Sequence, residues 1–204
     1  MDFAWLAGLT GFAFAMAATP GPNNTLVAAS GATYGVGRSL PLMAGIGMGV
    51  AVIMLMVGAF GTSLVVDSRV GAALKWIGVA YLLWLAWKIA AAEPAIASES
   101  ESKAGGTPLS FAQGALLQIV NPKLWVIVGG VVVTYGQAAA GAKAYTVAAL
   151  FAFIFGMMTF ISTLGWTVLG ASIGRFLNSR RSVRVFNGVM AALLVASLIP
   201  VLRE

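Results

Sequence analysis

Six residues near the start of the chain, Thr19-Pro20-Gly21-Pro22-Asn23-Asn24, interrupt a stretch that carries no charge from Phe3 to Gly37. Two prolines and a glycine end a helix there, because proline has no N–H to donate and its ring clashes with the preceding turn. In hydrocarbon the freed backbone groups have no water to turn to. Such a break therefore persists only where it is buried in protein or lines a watery cavity. A second break, Asn121-Pro122-Lys123, sits at a similar depth in a later apolar stretch. Paired broken helices are how small-molecule carriers build a site near the bilayer midplane.

The surrounding composition agrees with a membrane setting. The chain has 204 residues, 60% of them apolar and only 9% charged, and a mean hydropathy of +0.94. A spanning helix needs about 20 apolar residues. Apolar runs between charged clusters give six spans, roughly 3–29, 40–66, 70–92, 111–135, 144–173 and 183–202. The expected fold is thus an all-α integral membrane protein of six transmembrane helices. The first span lacks a positive n-region and continues past the proline break, so it reads as a retained helix and not a cleaved secretory signal.

What is missing narrows the chemistry. With no cysteine and no histidine, disulfides, thiolate metal ligands, thiol relays and histidine proton relays are excluded. No acid falls in any expected span: the six are Asp2, Asp67, Glu93, Glu99, Glu101 and Glu204. A carrier of lysine or arginine would want an intramembrane carboxylate, and a metal carrier would want acidic, His or Cys ligands. The cargo expected is neutral or zwitterionic, with no cofactor and no metal, and the chain is not expected to be an enzyme. The net charge of +6 is scattered over loops and helix ends, without the basic helix or patch of a nucleic-acid binder. An even number of spans puts both termini on one side. That side receives Arg69, Lys75, Lys143 and Arg203; the other receives Arg38, Lys88, Lys103, Arg175, Arg180, Arg181 and Arg184. The positive-inside rule then places both termini outside.

The chain also divides in two. Residues 93–110, with Ser-Glu-Ser-Glu-Ser and Gly105-Gly106-Thr107-Pro108, have the composition of a flexible linker. They separate a first three-helix repeat, 1–92, from a second, 111–204. Each half opens with a proline-broken span and carries Thr-Tyr-Gly soon after, at Thr33-Tyr34-Gly35 and Thr134-Tyr135-Gly136. The third spans add Gly78-Val79 and Gly188-Val189, each with an aromatic two residues before the glycine, Trp76 and Phe186. A repeat with an odd number of spans enters the membrane from opposite sides, so the copies form a 3+3 inverted repeat.

At the first break Asn23 or Asn24 is placed to cap the helix that restarts; at the second, Asn121 reads as an N-cap with Pro122 at the first helical position. Both restarts offer free N–H groups and a positive helix end to a carboxylate. Carbonyls released around Ala18 to Pro20 and Ile119 to Val120 are placed to accept from an ammonium. Lys123 is the one charge deep in an expected span, where an isolated lysine costs about 2.5–3.5 kcal/mol on insertion scales. It either snorkels to an interface or faces a wet cavity and meets an anionic group of the cargo. The candidate substrate-binding set is therefore Thr19, Pro20, Gly21, Pro22, Asn23, Asn24, Asn121, Pro122 and Lys123. Two proline kinks that only shape packing are the plainer alternative.

Other features read as structure. Gly45, Gly47 and Gly49, and Gly170 with Gly174, are close-packing seams. Trp5, Trp76, Trp87 and Trp166 read as interfacial anchors, and Lys75 and Lys88 as snorkelling flanks. Thr159, Ser162 and Thr163 give the fifth span a polar spot that bonds to the preceding turn or lines a path.

Taken together, Thr-Pro-Gly-Pro-Asn in the first span, Lys75-Trp76-Ile77-Gly78-Val79-Ala80-Tyr81-Leu82 in the third and Asn121-Pro122-Lys123 in the fourth resemble the LysE/RhtB family of bacterial amino-acid exporters. The order and spacing match across nearly the whole chain. Within the family, the stretch from Tyr81 to Ala90 is most similar to the branch exporting cysteine and O-acetylserine. The resemblance implies a six-span secondary transporter of the bacterial inner membrane, driven by the proton gradient, with both termini periplasmic by the charge argument above. Its partners would be an amino-acid substrate and the lipid bilayer, with a homodimer as one open arrangement. Many relatives carry an aspartate in the fifth span where a rough alignment puts Thr159. Its absence fits a neutral cargo such as homoserine, threonine, cysteine or O-acetylserine, and leaves proton antiport, a facilitated pathway and a substrate-carried proton all open. A non-transporting membrane scaffold, whose breaks would pack with no cavity reaching them, and a passive channel are the alternatives.

Overall fold

The computed structural model describes residues 3–60, 68–91, 107–135, 144–177 and 179–199, and every regular element among them is a helix. In order these are α1 (Phe3–Ala18), α2 (Pro22–Phe60), α3 (Ser68–Ala90), α4 (Phe111–Leu117), α5 (Pro122–Tyr135), α6 (Ala144–Gly174) and α7 (Arg180–Ala196). Residues 93–106 of the expected linker, 61–66 of the second expected span and 200–202 of the sixth lie outside the described residues.

Both breaks are present. Residues 19–21 separate α1 from α2, and the chain bends by 59° between α4 and α5. Each new helix starts on its proline, Pro22 or Pro122, where the missing N–H costs nothing.

The first two expected spans meet differently from expectation: a gap between residues 29 and 40 is replaced by continuous helical structure from 22 to 60, interrupted at one residue. Gly35 has φ 78° and ψ 169°, a backbone conformation reserved for glycine. Nine residues along a straight helix rise about 13 Å, yet the buried hydroxyls of Ser30 and Ser39 lie 2.8 Å apart. The chain folds back at Gly35. The partners on α6 reverse in step. Ala28 and Ala32 meet Gly170 and Gly174, running with α6, whereas Gly47 and Gly58 meet Gly156 and Ala148, running against it. Residues 22–34 and 36–60 are thus two limbs of a helical hairpin.

α1 continues the first limb along α6. Trp5 stacks on Phe151 with centroids 6.4 Å apart, Phe12 meets Phe155 edge-on at 6.3 Å, and Ser162 bonds the Ala17 carbonyl. α5 runs against α1: the Phe12 ring meets Tyr135, and Gly21 backs onto Lys123. The two broken segments therefore lie antiparallel with their breaks adjacent.

Small residues make this closeness possible. A Cβ on Gly45 would strike the Phe111 backbone, one on Gly49 would sit 2.7 Å from the Ala115 carbonyl, and one on Gly170 would strike the Ala28 carbonyl. The expected glycine seams are real. On the far side, Phe186, Met190 and Leu194 of α7 form a stripe in the core shared with α2 and α3.

The exterior is apolar as well as the core. Met48, Val52 and Leu55 on α2, Trp84 and Trp87 on α3, and Phe153 and Leu169 on α6 all face outward. Water does not favour so broad an apolar surface; a bilayer does. Among the described residues, 22–59 and 145–174 are long and apolar enough to cross a membrane, and the bent pair of α4 and α5 makes a third such unit. The molecule is a membrane protein.

Candidate functional site

A break inside a membrane protein must account for the carbonyls it frees. At the end of α1 each one is taken. The Thr19 hydroxyl donates to Ala15 and Met16 at 2.9 Å each. Ala17 accepts from Asn24 Nδ2 at 2.7 Å and from Ser162 at 2.8 Å. Ala18 accepts from the Trp166 indole at 3.2 Å, and Thr19 accepts from Asn24 Nδ2 at 2.9 Å and Lys123 Nζ at 2.8 Å. Apart from the Thr19 hydroxyl, these partners come from α2, α5 and α6, so the open turn exists only in the assembled fold.

The second break is finished more locally. Asn121 Oδ1 accepts from the Lys123 N–H at 3.1 Å, the expected N-cap, and the Trp125 indole donates to the Ile119 carbonyl at 2.8 Å. The first break departs from expectation here. Neither asparagine caps α2, because the helix already begins at Pro22; Asn24 instead turns back and holds α1.

An amide cluster joins the breaks. Asn23 and Gln118 exchange two hydrogen bonds, Asn23 Nδ2 to Gln118 Oε1 at 3.0 Å and Gln118 Nε2 to Asn23 Oδ1 at 3.1 Å. Asn121 Nδ2 donates to both acceptors, at 3.3 and 3.2 Å. Gln118 and Asn121 are buried. Beside the cluster, Lys123 reaches across to the first break, lying so close to Gly21 that a Cβ there would come 3.1 Å from Nζ.

A cavity of about 40 Å³ opens between these groups. It is lined by Gly21, Asn23, Asn24, Asn121, Lys123 and Thr159, with apolar walls from α1, α2, α5 and α6. It has room for about three waters, so an amino acid enters only if the helices part. The scaffold alternative expected no cavity at the breaks; this one touches both.

The model of the LysE type translocators matches residues 14–199, a stretch that contains both breaks. The chain belongs to that family. It is 32% identical over 186 residues to an Escherichia coli cysteine/O-acetylserine efflux protein, 88% of each chain. Proteins of the same name from Klebsiella pneumoniae and Salmonella typhimurium are 44% and 40% identical over 109 residues, so the chain spans about half (53%) of those relatives. No solved structure matches. The family expected from the residues is therefore the family found.

Of the nine candidate residues, Gly21, Asn23, Asn24, Asn121 and Lys123 meet at the cavity, while Thr19, Pro20, Pro22 and Pro122 shape the breaks without lining it. Two expectations need correction. Trp166 is not a free interfacial anchor, since its indole binds the first break. The carbonyls of Ala18 and Ile119 are not left wholly open by the breaks: each accepts from a tryptophan indole and keeps one lone pair. Gln118 went unread, although a glutamine three residues before Asn121 in an apolar stretch is a signal of the same kind as the asparagines.

Proposed function

We propose that the protein is an inner-membrane exporter of small neutral amino acids or their derivatives, held during transport between the two helix breaks. The observation that carries this reading is the meeting of both breaks at one cavity whose lining includes a single cation, Lys123, and no acid. Lys123 takes the cargo carboxylate in exchange for the Thr19 carbonyl. The asparagine–glutamine cluster is the neutral joint that opens as the helices part, and the prolines and Gly21 keep the backbone from closing into continuous helix. The names of the relatives favour cargoes of the cysteine and O-acetylserine kind.

In this reading the chain is a 3+3 inverted repeat, 1–92 and 111–204 around the linker 93–110, and transport is one half rocking against the other. The antiparallel course of the two broken segments supports it. Both termini lie in the periplasm, and the proton gradient is the driving force to be tested.

The test is efflux from preloaded proteoliposomes, comparing O-acetylserine, cysteine, homoserine, leucine and lysine with and without an imposed pH gradient. Saturable efflux of a neutral amino acid is expected, with none of lysine. Flux proportional to concentration without saturation indicates a channel, and no flux of any cargo from folded protein rejects export.

A further inference from the structure

The polar groups around the cavity divide into those already engaged and those still open. Gln118 is full: its Nε2 donates to Asn23 and to the Gly114 carbonyl, and its Oε1 accepts twice. Both Nδ2 protons of Asn121 are used, and those of Asn24 hold the carbonyls of Ala17 in α1 and Thr19 in the break. The amides hold the protein together and have little left to offer a ligand.

Thr159 is different. It lines the cavity, it is 8% exposed, and its hydroxyl makes no hydrogen bond among the described residues. A hydroxyl in an apolar helix usually returns its proton to the turn before. Its neighbours on α6 do so or find another partner: Thr163 donates to Phe160, Thr167 to Thr163 and Ser162 to Ala17. Among the described residues no sealed polar side-chain atom lacks a partner, so the Thr159 oxygen is not sealed in packing; it is open to the cavity.

Its place on the helix gives the reason. Phe155, Thr159 and Ser162 share the face of α6 that follows α1, with Phe155 against Phe12 and Ser162 bonded to Ala17. Thr159 therefore faces the last turns of α1, where Ala13, Met16 and Ala17 line the cavity with it. Around it the wall is apolar, with Met16, Val50, Ile127 and Phe155. A single open hydroxyl in an apolar wall is a reader of side chains: it rewards a cargo that brings a hydrogen-bonding atom and is left unpaired by one that does not.

We infer that Thr159 is a specificity-determining contact, its hydroxyl bonding an oxygen on the cargo side chain, so that the site favours small neutral amino acids bearing such an oxygen over apolar ones of equal size. This rests on the export reading.

Homoserine and norvaline are a matched pair, equal in length and ending in a hydroxyl or a methyl. Initial efflux rates of both are compared for the unchanged protein, Thr159→Val and Thr159→Ser. The unchanged protein favours homoserine. Thr159→Val lowers the homoserine-to-norvaline ratio of kcat/KM about tenfold, through homoserine alone, and Thr159→Ser keeps it. Equal slowing of both cargoes by Thr159→Val, or an unchanged ratio, overturns the inference while leaving export intact. If the unchanged protein moves neither these nor any other amino acid, the export reading fails and the inference falls with it.

Discussion

Lys123 Nζ donates to the Thr19 carbonyl oxygen at 2.8 Å, so the cation of the second helix break is held by the backbone of the first. Among the described residues that carbonyl is the hydrogen-bond partner of the ammonium. The lysine rests on a neutral carbonyl dipole, a weaker partner than a carboxylate. An incoming anionic group can therefore take it over.

Lys123→Ala should reduce efflux at least tenfold while costing about 1 kcal/mol of stability, because Thr19 keeps its second bond from Asn24. Initial efflux rates and thermal unfolding of the same preparation separate the two effects. If Lys123→Ala and Asn121→Ala both transport normally, the site is misplaced.

The amide pair predicts non-additivity. Asn23→Leu or Gln118→Leu alone removes both bonds of the pair and leaves the remaining amide with only part of its hydrogen bonding, at about 1–3 kcal/mol. The double substitution should cost less than the sum, with a coupling of about 1 kcal/mol in a double-mutant cycle. Strict additivity would mean that the pair does not form.

Trp166→Phe keeps the ring but removes the proton given to Ala18. It should lower stability by about 1–3 kcal/mol. A purely interfacial tryptophan would tolerate the change, so unfolding midpoints in detergent decide between the two roles.

Glycines needed by a seam or a positive-φ turn should respond oppositely to one needed by neither. Gly170→Ala pushes a methyl into the Ala28 carbonyl, and Gly35→Ala forces a side chain into a positive-φ turn. Each should cost about 1–3 kcal/mol. Gly129→Ala meets nothing within 4 Å and should be neutral or slightly stabilising. Expression yield and unfolding midpoints of the three variants check this.

The breaks could be read from the chain because proline and glycine act on their own backbone: Pro20, Gly21, Pro22 and Pro122 end helices wherever they are placed. The cap at Asn121 was legible for the same local reason. Gly35 was only half legible. A boundary between 29 and 40 follows from Arg38 and the end of the apolar run, but the single-residue hairpin depends on how 22–34 and 36–60 both pack on α6. The groups that satisfy the first break were not legible at all. Asn24 reaches back seven residues, and Ser162, Trp166 and Lys123 arrive from more than a hundred residues away. Nothing in their local sequence announces that partner.

The central claim is that cargo passes between the two breaks. Met16 on α1 and Ile127 on α5 line the cavity from two walls, and the chain contains no cysteine of its own. Met16→Cys with Ile127→Cys, joined in proteoliposomes by a short reducible thiol cross-linker, can be compared before linking, after linking and after reduction, with O-acetylserine efflux as the readout. Linking should stop efflux and reduction should restore it. Efflux from the verified linked protein at the unlinked rate would place the path elsewhere.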